Sequence, residues 1–281
     1  MKYFLLCILC LHCLKGFCKN EFQYQVSVCA IFQDEAPYLQ EWIDYHLGIG
    51  VEHFWLYNNN STDNFRQILS PYIKKKVVDL IEWPSEEKGS SHFFYNVQTI
   101  AYTDAIKKAK KSKWLAIIDV DEFIVLLQEN TLSECLEKRY SSYAGVCVNW
   151  QNFGTSYIEK LDPQKKSYEQ LVMKMKWDDP WNKHFKSIVQ PLHVMECKNP
   201  HFCSYLPGYY HINTHYEKVG MDSNVYIDIM QINHYWTRDE WYLHNVKIPR
   251  YLKWNNGADA VVSQSKKMNF EFDFTLSDSH R

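Results

Sequence analysis

Val26-Ser27-Val28-Cys29-Ala30-Ile31-Phe32 is followed by Asp34-Glu35, by Pro37, and then by Leu39, Trp42, Ile43, His46 and Leu47 ahead of Gly48. The first run is short, apolar and rich in β-branched residues, which marks a buried strand. The second set recurs at i, i+3, i+4 spacing, which lays its apolar side chains along one face of a helix that starts at a proline and stops at a glycine. His46 lies on that stripe and reads as a core histidine rather than a ligand. The alternation then repeats. Phe54 to Tyr57 predicts a second strand, Phe65, Ile68 and Leu69 a helix, and Val77 to Ile81 a third strand. About Ser91 to Lys111 predicts a long helix whose basic C-terminus complements the macrodipole. Trp114 to Ile118 is apolar without interruption, as expected of a fourth strand covered on both faces. Strands alternating with helices in this way specify an α/β sheet with crossover helices.

Further along, Thr131-Leu132-Ser133-Glu134 reads as a capping box, and Val146 to Val148 and Phe185 to Val189 as strands. Thr237-Arg238-Asp239-Glu240 reads as a second capping box, opening a helix to about Lys247. No repeat or Pro/Gly/Ser linker divides the sequence. One domain over 24–256 is expected, with a leader over 1–18 and a tail over 257–281.

Composition narrows the function classes. Of 281 residues, 46% are hydrophobic and 23% charged, enough apolar side chain for a real core rather than a disordered chain. Lys+Arg number 31 against 33 Asp+Glu, a net charge of -2, so the basic surplus a nucleic-acid binder needs is missing. Only 9 residues are glycine, about half the usual frequency. Neither G-x-G-x-x-G nor G-x-x-x-x-G-K-[ST] occurs. A nucleotide, if bound, must be held by carboxylates, amides and metal rather than by a glycine cradle.

Lys2 precedes an apolar run from Tyr3 to Leu14 that ends at Lys15-Gly16-Phe17-Cys18, the pattern of a signal peptide. At about 12 residues the run falls short of the ~20 that span a bilayer, which leaves a short membrane anchor as the alternative. The expected location is the secretory pathway, a periplasm or a membrane surface reached through the N-terminus. Cys7, Cys10, Cys13 and Cys18 belong to this leader, leaving Cys29, Cys135, Cys147, Cys197 and Cys203. Cys29 and Cys147 sit in strand-like runs and read as buried small hydrophobes. Cys197 and Cys203 flank a short loop that can close as a disulfide in an exported protein.

The chemistry concentrates where strands end. Asp119-Val120-Asp121 follows the fourth strand directly. Two carboxylates that close together in a turn can approach one hard divalent ion and leave positions for phosphate oxygens. Asp34-Glu35 follows the first strand and Asn58-Asn59-Asn60-Ser61-Thr62-Asp63 the second, so three polar clusters fall at the edge where open α/β sheets bind ligands. A strand ending in D-x-D also opens haloacid-dehalogenase-type phosphatases. Phe123, where those enzymes want Thr or Val, and the three strands before the motif weigh against that reading.

Taken together, Val28 through Trp42, His46 through Val51, Tyr57 through Asp63 and Ile118 through Phe123 resemble glycosyltransferase family 92 and bacterial relatives near family 2, over roughly Val26 to Trp254. The resemblance implies a GT-A type, Rossmann-like α/β/α sandwich with a mixed, mostly parallel sheet. It also implies a divalent metal, Mn2+ or Mg2+. The function implied is a glycosyltransferase that moves a hexose, galactose favoured, from a UDP-sugar donor to a glycan hydroxyl acceptor with inversion. Carried over by position, Glu35, Asn58, Asn59 and Asp63 would contact the nucleoside. Asp119 and Asp121 would hold the metal and diphosphate, with His234 as a further metal ligand and Lys247 and Arg250 on the leaving phosphates. Asp34 stands where the relatives often have Asn, and the Gln-x-x-Arg-Trp motif of processive synthases is absent. The alternative is a catalytically inactive nucleotide-sugar or carbohydrate-binding protein, with the D-x-D phosphatase behind it.

An inverting transfer needs a base for the acceptor hydroxyl. Asp178, Asp179 and Glu196 are available near Trp177, Trp181 and His184, and Asp179 is the choice among them. Cys197, Cys203, His211 and His215 miss the usual zinc-finger spacing. Asn59 and Asn60 each fit N-x-[ST], and their place beside the donor predicts that they are unmodified.

Overall fold

The alternation that begins at Val26 becomes β1 (Tyr24–Phe32), α1 (Ala36–Gly48), β2 (His53–Asn58), α2 (Phe65–Lys74), β3 (Val78–Glu82), α3 (Ser91–Lys108) and β4 (Ser112–Ile117). The computed structural model describes residues 22–85, 91–221, 223–253 and 258–277. The leader over 1–18 and its four cysteines lie outside them. No helix among the described residues is long and apolar enough to cross a membrane.

Strands β1, β2 and β3 pair in parallel, and β4 joins the other side of β1, again in parallel. The chain thus winds one way through β2 and β3 and then reverses to β4. A crevice opens at such a reversal, beyond the carboxyl ends of the strands. Val26, Val28, Ala30 and Phe32 pack on one face with Leu39, Trp42 and Ile43 of α1. Cys29 and Ile31 pack on the other with Ala101, Tyr102 and Ala105 of α3. Burial on both faces is why the strands read as continuous apolar runs.

The chain continues through β5 (Glu122–Leu126), α4 (Leu132–Tyr140), β6 (Gly145–Asn152), α5 (Ser167–Gln170), β7 (Met173–Lys174) and β8 (Phe185–Val189). After these come β9 (Val194–Cys197), β10 (Cys203–Tyr205), β11 (His211–Asn213) and β12 (Met230–His234). The main sheet runs β3-β2-β1-β4-β8-β6-β12-β5, with β11 beside β6. Strand β8 is antiparallel to both β4 and β6, β12 is parallel to β6, and β5 is antiparallel to β12. This is the mixed, mostly parallel α/β/α arrangement expected of a GT-A type sandwich.

Three details depart from the sequence reading. Strand β5 starts immediately after the D-x-D turn, because Asp119 N–H donates to Glu122 Oε2 at 2.8 Å and folds the chain back without a loop. The second helix start is two residues later than the capping box suggested. Asp239 accepts from Tyr242 N–H at 2.7 Å, while the buried Thr237 hydroxyl donates to the Phe153 carbonyl. From there α6 (Glu240–Tyr242), a π-helical turn (Leu243–Lys247) and α7 (Ile248–Lys253) follow without a break. Finally, the segment read as a tail is built into the fold. α8 (Ala258–Lys267) leads to β13 (Glu271–Phe272), which pairs antiparallel with β7.

Candidate active site

The strand ends at the β1/β4 reversal surround a cavity of about 230 Å³ whose lining includes Glu35, Asn59, Asp119, Asp121, His234, Lys247 and Arg250. Seven residues marked in the sequence are thus brought to one place from β1, β2, β4, β12 and the helix beyond it. Asn58, Asp63 and Asp179 are not among the lining residues. Asn58 donates to Glu82 Oε2 and accepts from Ser61 N–H, and Asp63 accepts from Ala36 N–H at 2.7 Å. Both hold the loops that present Glu35 and Asn59. Asp179 caps the turn Pro180–Lys183 by accepting from Trp181 N–H at 3.0 Å.

The two aspartates of the D-x-D turn have different surroundings. Ser187 lies opposite Ile117 in the β4/β8 register, so Lys186 stands just beyond the end of β4, where Asp119 emerges. Lys186 Nζ is 2.7 Å from Asp119 Oδ2 and 3.6 Å from Glu122 Oε2, and it is fully buried. Tyr102 on α3 donates to Asp119 Oδ1 at 2.7 Å. Burial by itself would raise the Asp119 carboxyl, but Lys186 outweighs it and holds the group below the usual carboxylate range. Glu122, buried deeper, is pushed well above its ordinary value by burial, with Lys186 opposing.

Asp121 faces the other way. Its Oδ1 is 3.6 Å from His234 Nε2 and its Oδ2 is 3.7 Å from Lys247 Nζ. Register again explains the meeting, since His234 pairs with Glu122 on β5 and with Asn152 on β6. Asn152 Nδ2 donates to Asn182 Oδ1, and Asn152 Oδ1 lies 2.9 Å from His234 Nδ1. His234 therefore carries its proton on Nδ1 and turns the Nε2 lone pair toward Asp121. Burial lowers its pKa to about 4, so the ring is neutral at physiological pH. Burial also pushes up the Asp121 carboxyl, and His234 together with Lys247, Arg238 and Lys186 reverses that and keeps it ionised. Burial brings Lys247 down to about 8, against the pull of Asp121. Glu35 is raised by burial, with Arg238 Nη2 at 3.4 Å opposing.

A neutral imidazole oriented by an amide, set beside an ionised carboxylate, is the donor chemistry a divalent cation takes. No group of three or more His, Cys, Asp and Glu side chains among the described residues forms a closed metal site. The pair Asp121 and His234 fits a cation that completes its shell with water and phosphate oxygens, as Mg2+ and Mn2+ do in open sites. The zinc pattern does not assemble. His211 Nδ1 lies against Cys147 Sγ at 3.2 Å, and His215 pairs with Asp228.

Lys186, Tyr102, Glu122 and Arg238 were not marked in the sequence. Only Lys186 carried a signal, as a lysine inside the apolar run Phe185 to Val189, where a buried charge demands a partner. The sulfurs of Cys197 and Cys203 are 2.8 Å apart on facing positions of β9 and β10.

A family model described as glycosyltransferase family 92 matches residues 23–275. A family 92 glycosyltransferase protein of Ricinus communis is 30% identical over 160 residues, covering 52% of this chain and 26% of that protein. A longer alignment to it is 25% identical over 224 residues, 77% of this chain and 36% of that protein. A second family 92 protein, from Oryza sativa, is 30% identical over 122 residues, 42% of this chain and 19% of that protein. The chain thus spans about a third or less of the length of these relatives. Among solved structures, S. aureus TarS 1-349 in complex with UDP-GlcNAc aligns at TM-score 0.39 and 11% identity, over 92% of this chain and 76% of that one. A Pyrobaculum calidifontis mannosyltransferase in complex with GDP-Man and Mn2+ aligns at TM-score 0.36 and 12% identity, over 86% of this chain and 75% of that one. At that distance neither carries a residue-level correspondence.

Proposed function

Because this chain belongs to glycosyltransferase family 92, we propose that its cleft binds a nucleotide diphospho-sugar and passes the hexose, with inversion, to a glycan hydroxyl. UDP-galactose is the favoured donor. The observation that carries this reading is the convergence of ionised Asp121, neutral His234 and the cations Lys247 and Arg250 on one cavity beside Asp119.

Asn59 and Glu35 lie at the β1/β2 side of the cleft, where the nucleoside would sit. Asn59 Nδ2 is tied to the Trp83 carbonyl and Ser85 Oγ, and its carbonyl oxygen has no hydrogen-bond partner among the described residues. Asp121 and His234 would hold a divalent cation, which when bound supplies positive charge to the diphosphate as it leaves. Lys247 and Arg250 add fixed positive charge on the same side. Asp119, locked by Lys186 and Tyr102, keeps the turn that aims Asp121. Trp150 and Trp236 line the cavity too, and Lys247 Nζ lies 4.8 Å above the Trp236 ring, so this wall offers an aromatic face to a sugar.

The test is hydrolysis of a panel of nucleotide sugars by the full chain with and without Mn2+, alongside donor binding to Asp121→Ala. Turnover of one donor, dependent on metal and lost with Asp121, is expected. No turnover of any donor, with equal binding by parent and variant, would overturn the reading.

A further inference from the structure

The proposed transfer needs a group to receive the acceptor proton, and the carboxylates that line the cleft among the described residues already have close partners. Glu35 faces Arg238, Asp119 is held by Lys186 and Tyr102, and Asp121 lies between His234 and Lys247. His201 lines the same cavity. It comes from the loop Lys198 to Phe202 between β9 and β10, which the facing residues Cys197 and Cys203 close at its base.

The loop is built to fix this ring. Asn199 Oδ1 accepts from the backbone N–H of both His201 and Phe202 at 2.8 Å. Ser187 Oγ on β8 donates to the His201 carbonyl at 2.7 Å. His201 Nδ1 lies 2.9 Å from the Phe185 carbonyl, and a carbonyl only accepts, so the proton sits on Nδ1 and Nε2 keeps its lone pair. The ring packs edge-on against Trp150 at 5.0 Å, and Trp150 in turn lies 4.3 Å from the His234 ring. Lys186, Asp119 and His184 are the charged and titratable groups around it, and burial, helped by Lys186, lowers its pKa to about 3. The imidazole thus stays neutral.

Building on the glycosyl-transfer reading, we propose that His201 is the catalytic base on the acceptor side of the cleft. As the acceptor oxygen forms its bond to the anomeric carbon, the bond from that carbon to the diphosphate oxygen breaks and its electron pair leaves with the nucleoside diphosphate. The acceptor proton passes to His201 Nε2, and the imidazolium returns it to solvent after product leaves.

The experiment uses the full chain with UDP-galactose and Mn2+, water or a glycan serving as acceptor. His201→Asn keeps an amide N–H for the Phe185 carbonyl but removes Nε2, and His201→Ala opens room for added imidazole. Both should lower kcat about ten- to a hundredfold, less than the usual 10²- to 10⁴-fold of a general base because burial depresses the pKa of this ring, while the donor Kd read by tryptophan quenching stays at the parent value. Imidazole should restore turnover of His201→Ala in proportion to its concentration and leave parent rates unchanged. A kcat within about threefold of the parent in His201→Asn, or no rescue by imidazole, would overturn the assignment while leaving the glycosyl-transfer reading intact. A parent that turns over no nucleotide sugar would sink that reading and this inference with it.

Discussion

Replacing Lys186 with Met keeps an unbranched side chain one atom shorter and removes the charge that the D-x-D turn is built around. Lys186 Nζ is 2.7 Å from Asp119 Oδ2 and 3.6 Å from Glu122 Oε2, and Lys186 and Glu122 are both fully buried. Removing one partner of a buried ion pair costs about 3–5 kcal/mol, because the stranded charge keeps its desolvation penalty. A proton caps the loss. Neutralising an aspartate with an unfolded-state pKa of about 3.9 costs about 4.2 kcal/mol at pH 7 and about 1.4 kcal/mol less for each unit below it. Asp119 is the group to take that proton, since burial pushes its carboxyl up and Lys186 is what holds it below the usual range, whereas Glu122 is pushed well up even with Lys186 in place. A carboxyl whose folded-state pKa is raised favours the fold below its unfolded value and loses that contribution as pH climbs. Lys186→Met should therefore be about 4 kcal/mol less stable than the parent at pH 7 and only about 1.5 kcal/mol less stable at pH 5. Urea unfolding of both proteins at pH 5, 6 and 7, followed by tryptophan fluorescence, measures the difference. A variant within about 1 kcal/mol of the parent at pH 7, or a loss equal at pH 5 and pH 7, would refute the buried-pair account.

Three further outcomes are expected. His46, with Nδ1 on the Trp42 carbonyl and Nε2 accepting from Ile124 N–H, and His211 are each lowered to about 4 by burial. Their depressed values stabilise the fold above the unfolded pKa of about 6.5 and cost it as pH falls, so acidifying from pH 7 to pH 5 should lose roughly 2 kcal/mol at each. Urea midpoints should show less acid sensitivity in His46→Leu. Gly154→Ala would set a Cβ into Asn269 Oδ1 and 2.7 Å from the Met268 carbonyl, which costs about 1–3 kcal/mol. Hydrogen exchange should then quicken across residues 258–277, and unchanged protection there would refute that docking. Asp239→Ala removes the acceptor of both Tyr242 N–H and Leu161 N–H. The lost cap and crosslink should cost about 2–4 kcal/mol, whereas an alanine at Thr237 that proved worse in thermal melts would show the helix start to be misplaced here.

Periodicity made the frame legible. Val26 to Phe32, Trp42 with Ile43, and Trp114 to Ile118 declare strand, helix and strand because their side chains meet the core at fixed local spacing, and the same residues fill both faces of the sheet. The resemblance carried by Asp119-x-Asp121 and its neighbours supplied seven residues that line one cavity. Strand β5 escaped because no turn residue separates it from the D-x-D motif, and Asp179, an acidic residue among aromatics that reads the same whether it caps a turn or faces a sugar, caps the turn Pro180–Lys183.

What the sequence determined by itself is therefore the α/β alternation, the edge of the sheet where polar clusters gather and the kind of chemistry they carry. These are local, since a period of two or 3.6 and a carboxylate at a strand end need no partner to be seen. Only the tertiary structure decided which charges face one another. Lys186 meets Asp119 across 67 residues of sequence, and His234 meets Asn152 across 82. Strand order and register, not spacing, bring such groups within hydrogen-bond reach. Burial at those positions then sets their protonation. That is how the two aspartates of the pair came to line one cleft with different partners, and how His201, on a loop with no periodic signal, came to line it with them.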